Sequence, residues 1–103
     1  MTKVALLVEL KAKPGREEQL AAFLAGAQPL AAAEPGTAVW FAVRLDSQTF
    51  AIFDAFNDEA GRQAHLKGPI AAALMAHADE LLASPPQIRN ADVLADKVET
   101  AHV

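Results

Sequence analysis

The chain has 103 residues, no cysteine and a formal net charge of −4 at neutral pH. That length supports one core in a single domain, 1–103, and the acidic balance argues against nucleic acid, since phosphate binding rests on clustered lysine and arginine. Hydrophobic residues make up 52 % of the chain but aromatics only 6 %, so alanine supplies much of the apolar content and each ring counts.

The opening run, "KVALLVELKA", alternates Val4, Leu6, Val8 and Leu10 on one side while Ala5 and Leu7 keep the other side apolar. It reads as a strand covered on both faces. The run is too short to span a membrane and no small-residue cleavage site follows it, so no membrane partner and a cytoplasmic location are expected. Pro14 and Gly15 end the strand, and Glu17 and Glu18 open a helix whose first turn favours negative charge. Leu20, Phe23, Leu24, Ala27 and Leu30 form its inward stripe, with Pro29 bending it or ending its regular part.

"EPG" at 34 to 36 makes the next turn, before two strands, 37–46 and 49–56, joined through Ser47 and Gln48. A two-residue loop places Phe41 opposite Asp54. One face then carries Val39, Phe41, Val43, Leu45, Phe50, Ile52 and Phe56 with Asp54 its only polar member, and the other carries Trp40, Ala42, Arg44, Ala51, Phe53 and Ala55. Asn57 caps a short helix ended by Gly68; Pro69 starts another running to about Ala83; and "SPPQ" precedes a last strand at roughly 87 to 97. The tail from about 98 is expected to be flexible or to contact a partner.

The order βαββαβ specifies an α+β, ferredoxin-like split βαβ fold, an antiparallel sheet with helices on one face. The second sheet face is too apolar for water, so a partner copy is expected to cover it, making a homodimer through sheet faces.

The stretches "KPGREEQLAAFL", "EPGT" and above all "FAIFDAFNDEAGRQAHLKGPI" resemble the antibiotic-biosynthesis-monooxygenase superfamily. These are small dimeric α+β-barrel proteins that include cofactor-independent, quinol-monooxygenase-like oxygenases. The resemblance runs from about Val4 to Val93. It places Asp54 where the family usually has glutamate, Phe56 where it usually has tryptophan, His65 on the family's histidine and Ile70 where many members have a second histidine. The haem-degrading branch matches poorly, because its helix histidine falls on Met75.

His65 is the candidate base: a neutral imidazole can take a phenolic proton, and an apolar wall of Phe56 or Trp40 would exclude water. The plainer reading is a histidine favoured by a helix C-terminus. Asp54, an acid on an apolar face, must be paired or protonated. It either anchors sheet to helix through Arg62, Lys67 or a backbone amide, or orients His65. His77 falls on the inward stripe with Ile70, Leu74 and Leu81, as a core histidine or a second polar handle.

Trp40, Phe41, Phe56 and Met75 complete the candidate substrate-binding set, Phe41 and Phe56 because they share Asp54's face. No HxH or HExxH spacing supports a metal, and no Gly-rich loop supports a nucleotide or flavin, so no cofactor is expected. The resemblance implies a cofactor-independent monooxygenase of a small phenolic or quinol-type aromatic. The alternatives are a non-catalytic dimer binding a small apolar ligand, or an isomerase or decarboxylase on the same fold. A cavity reached by His65 favours the enzyme. An interior filled by Met75, Leu74 and Phe56 favours the non-catalytic dimer.

Overall fold

A computed structural model describes residues 1–98. The tail expected beyond about 98 therefore lies outside the described residues. Four strands, β1 (Val4–Lys11), β2 (Thr37–Arg44), β3 (Thr49–Phe56) and β4 (Gln87–Asp92), form one sheet in the order β2-β3-β1-β4. Every neighbouring pair is antiparallel. Four helices, α1 (Glu17–Gly26), α2 (Gln28–Ala32), α3 (Glu59–Leu66) and α4 (Pro69–Leu81), complete the ferredoxin-like fold.

The core lies between sheet and helices. Leu6, Val8 and Leu10 of β1 and Phe50, Ile52 and Phe56 of β3 are buried, facing Leu20 and Leu24 of α1 and Ile70, Leu74 and Leu81 of α4. Each such side chain contributes roughly 1.5–3 kcal/mol by leaving water. Pro29 falls in the first turn of α2, where its missing N–H costs nothing, and the regular part of the first helix ends just before it, at Gly26. The last strand is shorter than expected and ends at Asp92, beyond which the Thr2 amide and hydroxyl donate to Asp96.

The expected face assignment of β2 is corrected by one residue. Trp40 pairs with Asp54, Ala42 with Ile52 and Arg44 with Phe50. The β2–β3 connection is longer than two residues. Leu45 and Asp46 donate their amides to the Thr49 carbonyl, and Asp46 Oδ1 accepts from the amides of Gln48 and Thr49 at 2.9 and 2.8 Å. That aspartate turn consumes the residue that two-residue pairing would have left in the strand, and a slip of one reverses every side chain. Trp40, Ala42 and Arg44 thus share Asp54's face, whereas Val39, Phe41 and Val43 lie on the outer face with Phe53. Arg44, at the far end of that face, pairs with Glu18 at 2.7 Å.

A second irregularity, between Thr37 and Val39, restores Thr37 to the helix side opposite Phe56. There the chain entering β2 touches α3 backbone to backbone. A Cβ added at Gly61 would lie 2.7 Å from the Gly36 carbonyl oxygen, and one at Gly36 would lie 2.9 Å from Gly61 Cα. Neither backbone can give way cheaply. Gly61→Ala is therefore expected to cost about 1–3 kcal/mol of stability, read from the urea midpoint at constant slope; a midpoint within error of the wild type would contradict this contact.

Candidate functional site

Asp54 enters the core from β3 because the strand alternation gives it no other direction; its side chain is fully buried. Opposite it, α3 begins at Asp58, whose Oδ1 accepts from the Gly61 amide at 2.8 Å. Asp58, not the expected Asn57, is the cap. About two helix turns later, His65 points back to the sheet, only 7 % exposed, with its ring centroid 5.5 Å from that of Phe56.

Both ring nitrogens of His65 face carboxylates. Nε2 lies 2.9 Å from Asp54 Oδ2, and Nδ1 lies 2.6 Å from Glu34 Oε1. Glu34, from the turn between α2 and β2, also accepts from the Thr37 hydroxyl at 2.7 Å. Burial opposes a charge on the imidazole, but the carboxylates of Asp54 and Glu34 outweigh it and hold the pKa at about 9. His65 is thus an imidazolium at neutral pH, with an acid beside each ring nitrogen. The expected neutral imidazole ready to take a proton is not what this geometry makes.

The cluster is incompletely satisfied. The His65–Asp54 contact is short but poorly aligned, and both carboxyl oxygens of Asp54, Glu34 Oε2 and the Trp40 indole nitrogen are buried without an aligned hydrogen-bond partner. Buried polar atoms usually have one. Of the partners expected for Asp54, the histidine is the one present. Arg62 instead engages Glu59 and donates to the carbonyls of Ala5 and Ala91 at 3.2 and 3.4 Å.

The remaining expected residues divide. Trp40 lies across from Asp54 and packs on Ala27, Ala31 and Ile70, so it belongs to the site's face, and Phe56 lies against His65. Phe41 does not: it is 58 % exposed on the outer face, the consequence of the β2 register. His77 is exposed rather than inward, with its ring edge-on to Phe23 at 5.6 Å where α4 meets α1. Met75, about 140° round the helix from Ile70 at 100° per residue, is exposed and fills no interior. Glu34 sits in the "EPG" turn, and its one local signal in the sequence is an acid directly before Pro-Gly and three residues before a threonine.

Two hollows bear on ligand binding. One, of about 180 Å³ between α2 and β2, is lined by Gln28, Ala31, Ala32, Thr37, Ala38 and Trp40. Another, of about 400 Å³, lies on the outer face among Val39, Phe41, Phe53 and the segment 93–98. Neither has His65, Asp54 or Phe56 in its wall. Among the described residues, no group of three or more histidine, cysteine or acidic side chains is arranged to hold a metal, and no helix is long and apolar enough to cross a membrane.

The architecture is shared with solved structures. A candidate antibiotic biosynthesis monooxygenase from Nitrosomonas europaea superposes with a TM-score of 0.80 at 15 % identity, covering 89 % of this chain and 99 % of that one. Another, from Caulobacter crescentus, gives 0.78 at 18 % identity, covering 91 % and 92 %. This chain thus shares the ferredoxin-like fold of these two proteins. A protein of unknown function from Nitrosomonas europaea, NE2512, is 60 % identical over 98 % of both chains with a TM-score of 0.96, and this chain belongs to the same family. No family model matches the chain, and no match was found among curated proteins.

The raised His65 pKa has a consequence for stability. The folded value lies above the free value of 6.5, so the stabilisation is complete below about pH 6.5 and is lost as pH rises through about 9. The unfolding free energy of the wild type is expected to fall by up to about 3 kcal/mol across that window relative to His65→Gln. Parallel urea-stability profiles for the two proteins would contradict it.

Proposed function

We propose that the chain is a cofactor-independent monooxygenase of a small phenolic or quinol-type aromatic, with the Asp54–His65–Glu34 cluster as its proton-handling centre. The observation that carries this reading is three ionisable side chains from three separate segments converging in an otherwise apolar interior. A buried ion pair is weak as a stabilising device, since apolar residues of similar volume often do as well. A strongly perturbed histidine of this kind, set among incompletely satisfied acids, is characteristic of sites of chemistry. The reaction class balances without a further reactant: a phenol and dioxygen give a quinone and water. Loss of the phenolic proton forms an electron-rich anion, which reduces dioxygen, and the two recombine at a ring carbon.

The protein's part is to accept the proton and keep the anion away from bulk water. His65, already carrying two protons, holds the acids in place instead of acting as the base. Trp40 supplies an aromatic surface on this face, offsetting the phenylalanine at position 56. Aerobic oxygen uptake with a panel of quinols is expected to fall by about 10²-fold or more in His65→Ala and Asp54→Asn; equal rates would remove the cluster from the reaction.

A second reading, a dimer that binds a small apolar ligand without chemistry, is favoured by the absence of His65 from the walls of both hollows. Saturable quinol binding with no oxygen uptake by the wild type would select it. In either reading the chain works as a homodimer through the outer sheet face, where Leu7, Phe41, Val43 and Phe53 remain exposed. Phe41→Asp is expected to halve the mass measured by light scattering, and an unchanged dimer would place the interface elsewhere.

A further inference from the structure

The hollow between α2 and β2 and the buried cluster share one residue sequence of contacts. Thr37 lines the hollow and donates its hydroxyl to Glu34 Oε1, the oxygen that faces His65 Nδ1. A threonine hydroxyl that donates inward retains lone pairs that can accept. Trp40 lines the same hollow, and its indole N–H is buried with no aligned partner. A ligand hydroxyl placed there would find an acceptor in Thr37 and an aromatic wall in Trp40. At about 180 Å³ the space is below the usual range for ligand pockets and suits a single ring.

We propose that this hollow is the binding site for a single-ring hydroxyaromatic, and that Glu34 receives the ligand's proton through the Thr37 hydroxyl. The proposal rests on the oxygenase-type reading of the cluster and deepens it by naming the ligand's place and the acceptor. In the step, the ligand's O–H bond breaks and its proton passes to Thr37 Oγ1, while Thr37's own proton passes to the Glu34 carboxylate. The ligand is left as the anion. His65 keeps both protons and stays against Asp54, so Glu34 becomes a neutral acid without the imidazolium moving. Thr37 touches the ligand; Glu34 acts through it.

The chain has one tryptophan, so the indole N–H resonance of the full-length protein reports the hollow unambiguously. Phenol and anisole, titrated without oxygen so that no turnover occurs, are the probes. Both are expected to shift the indole signal, whereas phenol alone shifts the ring nitrogens of His65. In Thr37→Val the indole shift persists and the His65 response falls at least fivefold; Thr37→Ser restores it. Glu34→Gln abolishes the His65 response while the indole shift remains. The proposal is overturned if millimolar phenol leaves the indole unmoved, if anisole moves His65 as phenol does, or if Thr37→Val responds like the wild type. Quinol oxidation that survives in Thr37→Val overturns this relay alone. An intact phenol response in a wild type that takes up no oxygen leaves the relay supported and defeats only the oxygenase reading.

Discussion

The imidazolium of His65, held between the carboxylates of Asp54 and Glu34, is the interaction on which the arrangement of this molecule turns. It joins three segments distant in the chain: the middle of β3, the end of α3 and the turn before β2. Two acids in an apolar layer would repel each other and lose their hydration. A cation placed between them offsets both costs, and its own burial is offset by the pair. None of the three side chains fits the interior without the others.

The surrounding backbone is arranged to permit that approach. The contact between Gly36 and Gly61 lets the entry to β2 lie directly on α3, which brings Glu34 within reach of the histidine. The irregularity between Thr37 and Val39 turns Thr37 inward, and the aspartate turn at Asp46 sets the register that puts Trp40 across from Asp54. Two small departures from regular strand geometry thus decide which side chains meet at the site and which face outward. Phe41, moved to the outer face by the same register, contributes instead to the apolar surface expected to receive a second copy.

The order of elements and the ferredoxin-like topology were legible in the sequence because hydrophobic period, proline and glycine all agreed there. Asp54 was conspicuous for the same reason, as a lone acid in a run of apolar residues, and the histidine expected from the family resemblance did meet it. What could not be read was whatever depended on one-residue differences or on long-range approach. The β2 faces inverted because an aspartate's hydrogen bonds, not strand propensity, fixed the loop. His77 and Met75 lie outside the inward layer because the neighbouring helix and the edge of the stripe, not the period alone, decide burial. Glu34 lay hidden in a turn because nothing local distinguishes an acid that will be buried from one that stays in solvent. Its partner is 31 residues away.

The protonation of His65 separates this account from a catalytic neutral histidine. Titration of its ring nitrogens by ¹⁵N NMR is the most direct test. The account predicts that both nitrogens remain protonated at pH 7.5 and titrate together near pH 9, well above the free value of 6.5. A ring found as a single neutral tautomer at pH 7.5, titrating at or below 6.5, would contradict it.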